Sequence, residues 1–168
     1  KGETEPQGAK NEALQVICCV LLTDQKVTIS NIPQIRDVIK LIELLGAMGV
    51  IINRLDPHTV EFDSSNVDMD HLDTLDFKEK AAELRGSVMI LGPLLARFKK
   101  GRIPKPGGDK IGRRPMDQHF IGLKNLGAKF SYDSKTYFYE IDATEITGTY
   151  MHLDEVSVTG TANILMAS

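Results

Sequence analysis

The 168 residues contain only two cysteines, Cys18 and Cys19, and these are neighbours within the apolar run LQVICCVLL. Adjacent cysteines on a helix point in different directions. They can neither staple distant segments nor frame a zinc ion, so the pair is read as two small buried hydrophobes in a reducing cytoplasm. The four histidines, His58, His71, His119 and His152, lack metal-ligand spacing, and no metal or cofactor is expected. No apolar run reaches the roughly 18 residues that a membrane-spanning helix needs. The opening KGETEPQGAKNE has no apolar core of the signal-peptide kind. A phosphate-binding GxxxxGK[ST] loop is also missing.

What is present is an ordinary globular composition, 42% hydrophobic and 26% charged, enough for one domain or two small ones. The net charge of −3 hides a local imbalance. Between Arg97 and Arg114 lie eight of the 20 basic residues, against the single acid Asp109. The rest of the chain is therefore acidic, and the basic segment needs its own explanation.

Periodicity suggests a repeated order of elements. Residues 11–22 read as a buried helix, KVTIS as a short strand, and IPQIRDVIKLIELLGAMG as an amphipathic helix stopped by Gly46 or Gly49. VIINR and TVEFD flank a DPH turn and read as a hairpin. The order then recurs: a mostly helical segment over 78–98, an extended GRIPKP, the basic loop, a helix RPMDQHFIGLKNLGAK, and strands KFSYD and TYFYEID. Leu45-Gly46-Ala47 and Leu126-Gly127-Ala128 fall at corresponding places, and Val16 and Val88 open corresponding apolar segments. The predicted fold class is α/β (α+β), built of helix–strand–helix–strand–strand units at about 10–75 and about 76–148. TANILMAS resembles the first turns of a third unit, about 149–168, and Lys1 is not a start methionine. The chain is expected to be part of a larger protein.

In the loop PKPGGDKIGRRPMDQH, Pro-Gly-Gly lets backbone N–H groups approach a ligand while the prolines restrict the remainder. A helix follows at once, with Pro115 suited to its first turn, so its positive end faces the loop. Such a site suits phosphate or carboxylate groups. No aromatic residue stands between Lys99 and Met116 to stack a base, which favours a small anion over nucleic acid.

Four blocks, GAKNEAL, LRGSVMILGPLLARF, PGGDKIGRRPMDQH and DEVSVTGTANI, resemble in sequence and in order the signatures of the UDP-N-acetylglucosamine enolpyruvyl transferase (1-carboxyvinyltransferase) family. The resemblance implies an inside-out α/β barrel fold of two similar domains, each of three units, with most of one domain here and the second domain as the absent partner. It implies a bacterial cytoplasmic enzyme that moves enolpyruvyl from phosphoenolpyruvate to the 3-hydroxyl of UDP-N-acetylglucosamine, the first committed step toward peptidoglycan. Both substrates are polyanions.

By position in those blocks, Lys10 and Asn11 belong to the phosphoenolpyruvate site, and Arg114 meets substrate phosphate. Arg85 faces the nucleotide sugar. Pro115, Met116, Asp117 and Gln118 enclose the uridine, and Ser157 with Val158 lies on the diphosphate side. His119 is either a ligand contact or a helix-packing residue. Three positions depart from the common pattern. Asp109 stands where many members have cysteine, Gln118 where leucine is common, and Glu155 where some have lysine, so Glu155 is not assigned a phosphate. Asp109 is the expected proton donor to the methylene carbon of phosphoenolpyruvate. Burial and substrate phosphate would raise its pKa, and Lys110, Arg113 and Arg114 would lower it. A carboxylate is a poorer nucleophile than a thiolate, so resistance to the epoxide fosfomycin is expected. Two other readings stay open: an enolpyruvylshikimate-phosphate synthase, although no glycine-rich NAGT-type segment is present, and a non-catalytic module that binds nucleotide sugars or RNA ends.

Overall fold

The computed structural model describes residues 1–4, 6–105 and 116–168. The first helix, α1 (Lys10–Cys19), runs into a 3-10 turn at Val20–Leu22 and leads to strand β1 (Lys26–Ile29). Helix α2 (Arg36–Ala47) and the hairpin β2 (Ile51–Asp56) and β3 (Thr59–Asp63) follow. After a 3-10 turn at Asp70–Asp73 come α3 (Leu75–Glu83), a 3-10 turn at Arg85–Ile90, α4 (Leu91–Phe98) and β4 (Lys100–Pro104). Helix α5 (Asp117–Asn125), strands β5 (Lys129–Asp133) and β6 (Phe138–Asp142), and helix α6 (Val158–Ala167) complete the order.

The strands form two antiparallel sheets of the same topology, β1-β3-β2 and β4-β6-β5. In each, the last strand of the set is the central one. Val27, Phe62 and Ile52 align across the first sheet, and Gly101, Ile141 and Phe130 across the second. Alternation along β3 buries Val60 and Phe62, which share one core with Val38, Leu41 and Leu45 on the apolar stripe of α2. In the second sheet the ring of Phe120 on α5 packs on Phe130 and Tyr139, with centroids 5.2 and 5.0 Å apart. Helix α4 lies centrally against α6, β4 and the turn at Val20–Leu22. The Nη1 of Arg97 ties it down by donating to the carbonyls of Leu21, Thr23 and Ser64 at 3.2, 3.0 and 2.9 Å.

Several boundaries differ from the periodicity. The segment 78–98 is broken: Leu84 is extended (φ −119°, ψ 117°), and Ser87 Oγ donates to Ala81 O and Leu84 O, diverting the chain into a 3-10 turn. Helix α5 begins at Asp117, beyond Pro115, with Met116 as N-cap. The two Leu-Gly-Ala triplets do not correspond. Gly46 lies inside α2, whereas Gly127 follows α5 at φ +105°. The true counterpart is Gly49 at φ +92°. Val50 N–H reaches Leu45 O at 3.1 Å and Ala128 N–H reaches Leu123 O at 3.0 Å, so both helices end in the same left-handed glycine cap.

Val16 is 41% exposed and Val88 3%, so that pair does not correspond in burial. Cys18 is buried as expected, but Cys19 is exposed. The turn of α1 that directs Ile17 and Cys18 inward carries Cys19 outward, with its Sγ 3.5 Å from Gln15 O and from Met166 Sδ. Helix α6 starts earlier than TANILMAS, because Ser157 Oγ accepts the Gly160 N–H at 3.1 Å and caps it.

Helices α4 and α6 approach closely at Gly92, where an added Cβ would collide with the backbone carbonyl oxygen of Asn163. A Cβ on Gly86 would meet nothing nearer than 3.5 Å. Gly92→Ala should therefore destabilise the fold by about 1–3 kcal/mol. Gly86→Ala should be neutral or slightly stabilising. Urea denaturation midpoints of the two variants test this, and equal midpoints would contradict the packing.

Candidate functional site

The predicted site residues fall into two groups. Lys10 and Asn11 open α1, and both are exposed. A lysine in the first turn opposes the helix dipole, and Ala9 supplies no side-chain cap. Its described partner is Asp37, in the first turn of α2, at 3.0 Å. Both side chains are about two-fifths exposed, at 43% and 41%, so the pair is a weak one that an anion can compete for.

The second group is a seam between the starts of α5 and α6. Asp117 is exposed in the first turn of α5, where its charge complements the dipole, and Met116 before it is half-buried. Gln118 and His119 turn inward and are buried, at 6% and 5% exposure. Among the described residues, Gln118 Oε1 has no hydrogen-bond partner. Across the seam Ser157 is half-buried and spends its hydroxyl oxygen on the cap, while Val158 is 67% exposed. The two helices approach because residue 160 is glycine: a Cβ there would lie 3.3 Å from Gln118 Cβ and 2.8 Å from Ser157 Oγ. Arg85, half-buried at the head of the turn Arg85–Ile90, lies near enough for its charge to act on His119.

His119 packs between helices. Its Nε2 is 3.2 Å from Thr159 Oγ1, and its Nδ1 is 3.0 Å from Asn163 Nδ2. Burial, with the Arg85 charge second, lowers its pKa to about 4. Asn163 is fully buried and also meets Val88 O at 3.0 Å and Gly92 N–H at 2.6 Å. Neither Asn163 nor Thr159 was singled out from sequence. A lone amide in the apolar run TANILMA was the signal available.

The structure thus gathers Arg85, Gln118, His119 and Ser157, and sets Lys10 with Asp37. Asp109, Arg114 and Pro115 lie outside the described residues. A cavity of about 380 Å³ lies elsewhere, between the turn at Asp70–Asp73 and the second sheet, and includes Lys100, Arg102, Lys129 and Glu140 but none of the predicted site residues. Among the described residues, no group of three or more His, Cys, Asp or Glu side chains could hold a metal ion, and no helix is long and apolar enough to cross a membrane.

The family profile described as EPSP synthase (3-phosphoshikimate 1-carboxyvinyltransferase) matches residues 1–168. The UDP-N-acetylglucosamine 1-carboxyvinyltransferase of Bacteroides thetaiotaomicron is 56% identical over 167 residues, which are 99% of this chain and 38% of that protein. The protein of the same name from Porphyromonas gingivalis is 54% identical over 168 residues, 100% of this chain and 39% of that protein. Among solved structures, the enolpyruvyl transferase NikO from Streptomyces tendae superposes with a TM-score of 0.79 at 18% identity, covering 99% of this chain and 38% of that one. An EPSP synthase from Acinetobacter baumannii gives 0.69 at 17% identity, covering 99% and 37%. The chain spans well under half the length of the relatives it matches. With the match running over all 168 residues and the fold shared with enolpyruvyl transferases, this chain belongs to the EPSP synthase (3-phosphoshikimate 1-carboxyvinyltransferase) family.

Proposed function

We propose that the protein to which this chain belongs transfers enolpyruvyl from phosphoenolpyruvate to the 3-hydroxyl of UDP-N-acetylglucosamine, in the bacterial cytoplasm, on the route to peptidoglycan. The observation that carries this is the 54–56% identity, over essentially the whole chain, to proteins named UDP-N-acetylglucosamine 1-carboxyvinyltransferase. The site supports it through its charge. Lys10 and Asn11 meet phosphoenolpyruvate, with the ammonium exchanging the weak Asp37 contact for phosphate or carboxylate. Arg85 faces the nucleotide sugar, and Arg114 meets substrate phosphate. Residues 115–118 enclose the uridine, with the Gln118 carbonyl, which has no partner among the described residues, turned inward. Ser157 and Val158 place the first N–H groups of α6 beside the diphosphate, where the helix dipole favours negative charge.

In the reaction the sugar hydroxyl loses a proton as its oxygen adds to the enolpyruvyl double bond, and the methylene carbon gains one. We assign that second proton to Asp109; the adduct then expels phosphate and loses a proton from the same carbon, which restores the double bond in the product. Residues 149–168 read as the opening of a third unit, and the remaining length of the relatives supplies the opposite wall of the cleft. The rival reading, transfer to shikimate 3-phosphate, is favoured only by the description of the family profile.

Phosphate release by the full-length protein with phosphoenolpyruvate decides between the two. Turnover is expected with UDP-N-acetylglucosamine, and turnover only with shikimate 3-phosphate overturns the reading. Lys10→Ala should lower kcat/KM by about 10²–10³, and an unchanged value would remove Lys10 from the site. The isolated 168 residues should show no turnover, because a cleft with one wall neither orients both substrates nor excludes water. Fosfomycin should leave the full-length enzyme active, and Asp109→Cys should make it sensitive. Irreversible inactivation with the drug attached at Asp109 counts against the assignment.

A further inference from the structure

The amide of Asn163 can be oriented without ambiguity. Its oxygen takes the Gly92 N–H at 2.6 Å, a donor left over at the start of α4. Its nitrogen therefore faces Val88 O at 3.0 Å and His119 Nδ1 at 3.0 Å. An NH₂ group can only donate, so Nδ1 must accept and can hold no proton. The one ring proton then sits on Nε2, 3.2 Å from Thr159 Oγ1 in the first turn of α6. A doubly protonated ring would set N–H against N–H inside the fold. Among the described residues of the elements packed around the ring, no buried acid offsets that. Helix α6 carries no titratable side chain, and Arg85 is the only charged residue of the turn Arg85–Ile90. On α4 the only charge, Arg97, is spent on three carbonyls, and on α5 Asp117 is exposed and Lys124 lies over the Phe130 ring.

We propose that Asn163 is a positioning residue that locks His119 as the neutral Nε2–H tautomer and so holds the first turn of α6, with Ser157 and Thr159, against Gln118 of α5 without adding positive charge beside Arg85. The lock stands on geometry alone, and only its consequence for ligand affinity rests on the function proposed above. His119 thus serves as an uncharged hydrogen-bonding strut, and the cationic character of the seam does not vary across neutral pH. Its pKa of about 4 accords with this. In that range the unfolded chain takes up a proton at His119 that the native state refuses. Stability from this group is therefore full above about pH 6.5 and declines as pH falls toward 4.

The test is imidazole ¹⁵N NMR on the full-length protein, with His119 assigned through His119→Gln. Expected is a protonated Nε2, a bare Nδ1, and no titration of that ring between pH 8 and about pH 5. An Nδ1–H tautomer, exchanging tautomers, or titration near the ordinary value of about 6.5 overturns the lock. Asn163→Asp replaces the donor with an acceptor, so Nδ1 should become protonated at neutral pH, and amide exchange at Gly160 and Thr161 should accelerate. Protection that stays unchanged despite a switched ring overturns the positioning role. If that variant does not fold, the wild-type tautomer still decides the lock, and amide exchange in His119→Gln decides the positioning. Affinity for UDP-N-acetylglucosamine should fall on the order of tenfold in Asn163→Asp. A wild-type protein that binds none counts against the proposed function alone, since the ring and amide readings need no ligand.

Discussion

The close approach of α4 and α6 at Gly92 is the constraint on which the arrangement of the second half depends. Without a Cβ at residue 92, the Asn163 backbone carbonyl can lie against α4, and the Asn163 amide can reach the Gly92 N–H. Once there, the same amide spans three elements: α4, the turn Arg85–Ile90 through Val88 O, and α5 through His119. A buried amide that loses any of these partners costs about 1–3 kcal/mol. Its hydrogen bonds therefore fix relative position with far more authority than the apolar contacts around them, which tolerate sliding. The site inherits its geometry from this node. Ser157 and Gln118 are neighbours because α5 and α6 are pinned one turn further in.

The charges follow the opposite logic. Lys10 and Asp37 are exposed, and such a pair contributes no more than about 1 kcal/mol. A contact of that strength cannot hold α1 to α2. The helices are joined instead by buried side chains such as Ile17, Leu41 and Leu45. What the pair does is keep an ammonium at a helix start, where the backbone already offers positive potential. Arg97 is the contrast. Its guanidinium is spent on three carbonyls from the first half of the chain and works as a structural tie. Two basic residues thus differ in role because one has an exposed acid as partner and the other a set of orphan carbonyls.

Much of this was legible in the sequence. Period-two and period-3.6 patterns located both hairpins and α2, because those elements bury one face and expose the other. What misled was punctuation. Leu-Gly-Ala occurs twice, but only one of its glycines has a positive φ, and the matching cap is Gly49. Glycine identity says that a left-handed turn is allowed, and the packing on either side decides where it is used. The broken segment 78–98 was illegible for a related reason. Ser87 donates its hydroxyl to Ala81 O and Leu84 O, a local competition that an apolar pattern does not record. Lys10, Asn11, Arg85, Gln118 and Ser157 are candidates singled out only through blocks of resemblance. Periodicity would have passed over all five.

Asn163 escaped both routes, and the reason bears on how such sites are built. In sequence it is one polar residue in an apolar helix, indistinguishable from a tolerated exception. Its meaning depends on a glycine 71 residues earlier and a histidine 44 residues earlier, contacts that exist only after folding. The orientation of its amide is dictated by two backbone groups, and it dictates in turn where the imidazole proton sits. A backbone donor at the start of α4 thereby settles the protonation of a side chain on α5, beside residues that face substrate in the proposed reaction. The seam keeps its donors and acceptors in one arrangement because a reversed amide would leave Gly92 N–H and Val88 O without partners.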